Sequence, residues 1–360
     1  MKRVAFFLPH FEVGGAEMVI LRLLKGLDRT AFQPVLILQA RRGALLDRLP
    51  ADVAVLDLGG ARASRAVLPL SRLLRREGFD LTYTATNATN LLMLAALRLA
   101  RVQTRAIVSE HTPLTGFLGH AKARTLRTFA MKALYRDAAM LAAPLPQIGK
   151  EHGDLLGRMA PFHVLPNPVI DSLPSLRRPA SCATRLISVG RLAEEKRFDL
   201  MIRAFAAAHS QNSDLRLTIH GEGPARPALQ HLIQTLGLKD IVTLPGRTDD
   251  VPAALEKADL FLCTWRLEGL GNAIIEAMGA GVPVLSVDCP FGPAHLLEQG
   301  NSGMLMASDC PDAIAQEILR LVPDAPRRTA YQTRARKMAQ RYTIPAAVAA
   351  YEGCFTRALA

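Results

Sequence analysis

Short runs of aliphatic and β-branched residues alternate with helical stretches along almost the whole chain, and this alternation constrains the fold more than any other feature. The runs fall at residues 4–9, 34–39, 53–58, 81–86, 105–110 and 140–144, and again at 186–190, 215–221, 241–246, 260–265, 284–287 and 304–307. They are close to continuously apolar, as strands covered on both faces are. Helical patterns lie between them, residues 16–27 for example. In another, Val67, Leu70, Leu73 and Leu74 share one face while Arg72, Arg75 and Arg76 take the others. Such alternation predicts doubly wound parallel sheets. It is interrupted at residues 165–179, where Pro166, Pro168, Pro174 and Pro179 and the lack of a helical period read as a linker. A chain of 360 residues, 49% hydrophobic, can build two such units with separate cores. The expectation is an α/β protein of two Rossmann-like domains, 1–170 and 171–341, facing each other across a cleft, with an amphipathic helix at 342–360 returning to the first.

The longest apolar stretch, residues 91–100, is broken by Arg98 and falls short of the ~20 residues a membrane-spanning helix needs. Lys2 and Arg3 precede an apolar run as in a secretion signal, but Pro9, His10 and Glu12 end it without a small-residue cleavage site. Cys182, Cys263, Cys289, Cys310 and Cys354 are odd in number and scattered. They include no C-x-x-C pair, which argues against a disulfide framework or zinc site and suits a reducing cytoplasm. The net charge of +12 is lopsided: residues 1–170 carry 23 Lys+Arg against 12 Asp+Glu, residues 171–360 carry 21 against 20. The first half therefore faces something anionic. Nucleic acid fits poorly, since five Tyr and one Trp provide no interleaved aromatics and no nucleic-acid module is recognisable.

Several segments follow the predicted strands, where a doubly wound sheet presents its ligand-binding loops. After the run at 186–190 comes Arg191-Leu-Ala-Glu-Glu-Lys196. Two cations beside a helix start suit a diphosphate, through guanidinium forks and backbone N–H groups. A surface ion pair of Lys196 with Glu194 or Glu195 accounts for these residues equally well. After the run at 260–265 comes Glu268-Gly-Leu-Gly-Asn-Ala-Ile-Ile-Glu276. Gly269 and Gly271 allow backbone to approach a phosphate, Asn272 is a natural N-cap, and Glu268 and Glu276 can grip hydroxyl pairs at opposite ends of a nucleotide sugar. An acidic first turn matched to the helix dipole explains Glu276, but not the glycines and the second carboxylate. Gly14-Gly15-Ala16-Glu17 offers backbone amides after the first strand, though a glycine pair is also an ordinary turn. His111, in Ser109-Glu110-His111, stands where it could hydrogen-bond a substrate hydroxyl or serve a purely structural contact. Gly221-Glu-Gly223-Pro224 fails the dinucleotide fingerprint because Arg226 takes the place of its last glycine, so a nicotinamide-cofactor reading loses its support.

In order along the chain, Gly14-Gly15-Ala16-Glu17, Ser109-Glu110-His111, His163-Val-Leu-Pro-Asn-Pro168, Val189-Gly-Arg-Leu-Ala-Glu-Glu-Lys196, His220-Gly-Glu-Gly-Pro224 and the paired Glu268 and Glu276 resemble the family-4 glycosyltransferases of the GT-B fold. These are retaining enzymes that use nucleotide sugars, and the resemblance spans nearly the whole chain. It implies that Arg191 and Lys196 bind the donor diphosphate, with Gly14, Gly15 and the Gly269-Leu270-Gly271-Asn272 loop also in the donor site. Glu276 would bind the ribose hydroxyls, Glu268 would hold the transferred sugar near its reacting carbon, and His111 would contact that sugar from the N-domain side. Leu270-Gly271 departs from the Phe, followed by a larger residue or proline, that the family often has there. Asp288-Cys-Pro-Phe-Gly-Pro293 looks like a segment of members that build bacterial surface glycans with UDP-N-acetylgalactosamine, UDP-galactose or UDP-N-acetylglucosamine. That similarity points to a UDP-linked hexose or N-acetylhexosamine donor in place of GDP-mannose. The implied reaction is a front-side transfer, and with no Asp-x-Asp motif neither a metal nor another cofactor is expected.

Residues 112–136 hold five basic residues, Lys122, Arg124, Arg127, Lys132 and Arg136, no acidic one, and an apolar stripe of Leu126, Phe129, Ala130 and Ala133. Either the stripe packs on the core, or the helix lies on anionic lipid, where each basic residue near the surface contributes about 1 kcal/mol. The lipid reading predicts a peripheral enzyme on the inner face of the plasma membrane that takes a lipid-diphosphate-linked glycan acceptor in polysaccharide, lipopolysaccharide or capsule synthesis. The competing classes are a nucleotide-sugar epimerase of the same architecture, a polyanion-binding protein and a catalytically dead sugar-nucleotide sensor.

Overall fold

In the computed structural model, which describes residues 1–60, 63–114, 124–157, 160–176 and 180–360, the apolar runs form two parallel sheets. The first contains β1 (Lys2–Leu8), β2 (Phe32–Leu38), β3 (Ala54–Asp57), β4 (Leu81–Thr84), β5 (Arg105–Ser109), β6 (Met140–Ala143) and β7 (Phe162–Val164), in the order β3-β2-β1-β4-β5-β6-β7. The second contains β8 (Arg185–Val189), β9 (Arg216–His220), β10 (Val242–Gly246), β11 (Leu260–Cys263), β12 (Val284–Val287) and β13 (Met304–Met306), in the order β10-β9-β8-β11-β12-β13. No apolar run announces β7. Its three residues, Phe-His-Val, are only partly covered at the sheet edge, where Phe162 pairs with Leu141.

Helices α1 (Gly15–Gly26), α2 (Ala63–Glu77), α3 (Asn87–Ala100), α4 (Arg124–Leu134) and α5 (Pro146–Leu156) accompany the first sheet. The second has α6 (Phe198–His209), α7 (Arg226–Thr235), α8 (Val251–Glu256), α9 (Asn272–Gly279), α10 (Gly292–Leu296), α11 (Pro311–Leu321) and α12 (Ala325–Ala339), and α13 (Ile344–Leu359) ends the chain. β1 shows why its sequence is continuously apolar: Val4, Phe6 and Leu8 meet α1 on one face, while Ala5 and Phe7 meet α2 and α3 on the other.

Met1–Val169 with Ile344–Ala360 forms one unit and Ile170–Thr343 the other. Tyr351 and Phe355 of α13 fill the first core. The Tyr351 ring lies 5.6 Å from that of Tyr83, and the Phe355 ring lies 5.8 Å from Phe32 and 6.2 Å from Phe6. The proline-rich stretch is anchored at its start and in its middle: Leu165 N–H donates to Ala143 O (2.9 Å) and Ile170 N–H to Tyr342 O (3.0 Å). Pro179 lies outside the described residues. Among the described residues no helix is long and apolar enough to cross a membrane.

Each sheet reverses its strand order once, between β1 and β4 and between β8 and β11. Connections on either side of such a point depart to opposite faces, so the carboxyl ends of those strands open a crevice.

Candidate active site

β8 and β11 are hydrogen-bonded neighbours, with Leu186 beside Leu260, so the loops that leave them meet. The β8 loop lies on a glycine bed. Gly190 N–H donates to His220 O and Leu192 N–H to Glu222 O, both at 2.9 Å. A Cβ on Gly221 would stand 1.8 Å from Gly190 O, and one on Gly223 2.4 Å from Leu192 O, so no other residue fits at either position without moving backbone. Arg226, the residue that spoils the dinucleotide fingerprint, ties Glu222 down with contacts of 2.7 and 2.8 Å. On the β11 side, Thr264 Oγ1 donates to Lys196 O (3.3 Å) and Arg197 O (3.0 Å), and Arg266 N–H donates to Glu195 O (3.0 Å). Residues 195–197 are thereby stitched to 264–266.

The stitched loops present an ion pair. Lys196 Nζ contacts Glu268 Oε2, and the same ammonium lies 3.8 Å from the ring centroid of Trp265. The Lys196 and Glu268 side chains are 15% and 22% exposed, and Trp265 is buried beneath them. The local partners considered for Lys196, Glu194 and Glu195, are not the ones it takes. Glu195 instead pairs with Arg191 at 2.5 Å, and the Arg191 side chain is 67% exposed. The two cations share a loop, but only Lys196 is drawn inward.

The glycine loop after Glu268 leads into α9. Its cap is Gly271, at φ +94°, a left-handed conformation that glycine adopts without a Cβ clash. Asn272 is therefore the first helical residue and not the cap expected from the sequence. Leu270 has a buried side chain, so only its backbone is available to a ligand. Glu276 lies partly buried in the second turn of α9. Behind the loop stands the 288–293 segment. A Cβ on Gly292 would lie 2.2 Å from Leu270 O and 2.9 Å from Gly269 O, and Phe291 forms a parallel bridge to Glu268. The segment that suggested a sugar preference is thus also the wall on which the glycine loop rests.

In the first unit, Gly14 caps α1, and the Glu17 carboxylate folds back over it: a Cβ on Gly14 would lie 2.3 Å from Glu17 Oε2. An anion of the chain itself therefore sits at this helix start. A Cβ on Gly15 would meet nothing within 4 Å. His111 follows β5 with Nε2 3.1 Å from Ser109 Oγ, and burial pushes its imidazole down to about 4. Beside it, buried Glu110 accepts from Asn87 Nδ2 (3.1 Å), Asn90 Nδ2 (2.9 Å) and the Tyr135 hydroxyl, with His152 Nε2 at 3.9 Å. Burial alone would raise the Glu110 carboxyl, but neighbouring His152 and the donors Tyr135 and Asn87 outweigh it and hold the carboxyl below the ordinary glutamate value.

Sequence reasoning passed over Glu110, Thr264 and Trp265. Glu110 closes an apolar strand run, where a carboxylate needs partners, and Trp265 is the chain's one tryptophan and closes another run. Among the described residues no three His, Cys, Asp or Glu side chains gather as metal ligands.

Residues 13–173 match the family model for Glycosyltransferase Family 4, and residues 182–338 match that for Glycosyl transferases group 1. The chain is a family-4-like glycosyltransferase of the GT-B fold. A Streptomyces coelicolor protein named exopolysaccharide phosphotransferase is 31% identical to this glycosyltransferase over 291 residues, which are 80% of the chain but 29% of that relative. The Campylobacter jejuni N-acetylgalactosamine-N,N'-diacetylbacillosaminyl-diphospho-undecaprenol 4-alpha-N-acetylgalactosaminyltransferase is 24% identical over 369 residues, 95% of this chain and 96% of its own. Anabaena HepE, solved in complex with UDP, shares the fold with a TM-score of 0.83 at 20% identity, over 99% of this chain and 100% of that one.

Proposed function

We propose that this glycosyltransferase transfers a hexose or N-acetylhexosamine from a UDP-linked donor to a lipid-diphosphate-linked glycan, with retention at the reacting carbon, in bacterial surface-polysaccharide synthesis. The observation that carries the reading is the Lys196–Glu268 pair at the point where the second sheet reverses its order. It sets a cation suited to a diphosphate beside a carboxylate suited to sugar hydroxyls. The UDP in the HepE structure supports the choice of nucleotide, and the diphospho-undecaprenol in the Campylobacter relative's name supports the choice of acceptor.

In the proposed reaction the bond from the sugar's reacting carbon to the phosphate oxygen breaks while the acceptor oxygen bonds to that carbon on the same face. The acceptor proton passes to the departing phosphate oxygen, so configuration is kept without a covalent sugar–enzyme intermediate. Lys196, Arg191 and the start of α9, at Gly269, Gly271 and Asn272, stabilise the growing negative charge. Glu276 holds the ribose and Glu268 the sugar. His111, neutral near pH 7, serves as a hydrogen-bonding group for the sugar and not as a cation, while Gly14 and Gly15 offer backbone amides. The protein's own positive groups supply the charge, so neither a metal nor another cofactor belongs to the proposal, and EDTA should leave activity unchanged.

Calorimetric titration with UDP, GDP and their common sugars tests the reading. A UDP-selective response that is lost in Lys196→Ala and reduced in Arg191→Ala is the expected result. Equal responses to UDP and GDP would remove the nucleotide assignment, and no response to either would remove the site. α4 supports a peripheral location on the inner face of the plasma membrane. Leu126 and Phe129 are 69% and 70% exposed, with Arg124, Lys132 and Arg136 exposed around them, whereas Met131 faces the core. The reading in which the whole stripe packs inward therefore does not hold for Leu126 and Phe129. Lys122 lies outside the described residues. Co-sedimentation should favour anionic over neutral vesicles, and equal binding to both would discard the membrane proposal.

A further inference from the structure

We infer that Trp265 is a positioning residue of the donor site, its indole face holding the Lys196 ammonium where a diphosphate can meet it. The inference rests on reading the second unit as the donor-diphosphate site. A lysine ammonium rides on a flexible four-carbon stem, so a useful position has to be imposed from outside. Three restraints act on Lys196. Thr264 and Arg266 bind the backbone of residues 195–197, Glu268 draws the ammonium from one side, and the Trp265 ring closes another at 3.8 Å.

Of the aromatic side chains, an indole face attracts a cation most strongly, and more so where water is excluded, as it largely is around Lys196. An ammonium has three N–H donors, so contact with Glu268 and the ring leaves donor capacity for a phosphate oxygen. The same ring supports the glycine loop, because a Cβ on Gly271 would stand 3.1 Å from Trp265 Cζ3. One side chain thus touches both the lysine that would bind the diphosphate and the cap of α9. The indole N–H is buried and has no acceptor among the described residues. What the residue contributes is therefore its face and volume, and replacing it by Phe or Leu removes no hydrogen bond.

The full-length protein and its Trp265→Phe and Trp265→Leu variants would be titrated with UDP and, by competition, with uridine, alongside circular-dichroism melts. Trp265→Leu should weaken UDP about tenfold, or ~1.4 kcal/mol, with uridine unchanged. Trp265→Phe, which keeps a weaker π face, should fall between the leucine variant and the wild type. A purely structural role would weaken UDP and uridine together. If the wild type does not prefer UDP to uridine, the donor reading fails. If it does, and Trp265→Leu keeps the same preference, this inference fails while the donor reading stands. Should Trp265→Leu not fold, the phenylalanine variant and fluorescence decide. Trp265 is the chain's one tryptophan, so Lys196→Met should change the emission of the free protein, and an unchanged spectrum would overturn the contact.

Discussion

Gly292→Ala probes the wall behind the glycine loop without removing a proposed ligand-binding side chain. The new Cβ would lie 2.2 Å from Leu270 O, 2.6 Å from Leu270 C and 2.9 Å from Gly269 O, all of them backbone atoms with no rotamer to escape into. An unstrained carbon–oxygen contact needs about 3.3 Å, so loop and wall must part by roughly 1 Å. Displacements of that size at a catalytic constellation can cost about 10²-fold, or ~2.7 kcal/mol of transition-state stabilisation. Overpacking should cost about 1–3 kcal/mol of stability, less than the fold can absorb. The expected outcome is a folded variant whose kcat/KM, measured as UDP release from the donor sugar, is about a hundredfold lower. Gly353→Ala, whose Cβ would meet only the end of the Arg357 side chain at 3.6 Å, is the control and should match the wild type. A Gly292→Ala protein with wild-type kcat/KM would refute the idea that the 288–293 segment sets the loop.

Glu110→Gln can keep a carbonyl oxygen for Asn87, Asn90 and Tyr135, which all donate to Glu110 Oε1, but removes the charge that strengthens those bonds, and should cost about 2 kcal/mol in urea denaturation. Because the folded carboxyl lies below its ordinary value, Glu110 stabilises the wild type above the unfolded value and loses that effect as pH falls through the folded one. The acid limb of stability should therefore be shallower in the variant. For His111 the folded value of about 4 lies below the ordinary 6.5, so its contribution is complete above 6.5 and is lost as pH falls to about 4. An NMR titration of His111 should find its midpoint near 4, and a midpoint near 6.5 would contradict the burial argument. Phe355→Ala, which empties a site lined by Phe6, Phe32, Tyr83 and Tyr351, should cost about 3–5 kcal/mol in denaturant unfolding.

Strand positions were legible because a parallel strand buried on both faces is apolar at nearly every covered residue, as β1 is from Val4 to Leu8. β7 was not, because Phe162, His163 and Val164 sit half-covered at an edge and carry no such run. The loops of the candidate site were legible too, since charged residues and glycines follow the apolar runs that end at Gly190 and Trp265.

What those loops do to each other was hidden. Lys196 had Glu194 and Glu195 as neighbours in sequence, yet it meets Glu268 across 72 positions of chain. Gly292 presses on Leu270, and Trp265 lies under a lysine from another strand's loop. A run of apolar residues reports burial by itself, one residue at a time. A contact between loops depends on which strands lie side by side, and strand order emerges only when the whole sheet has closed on its helices.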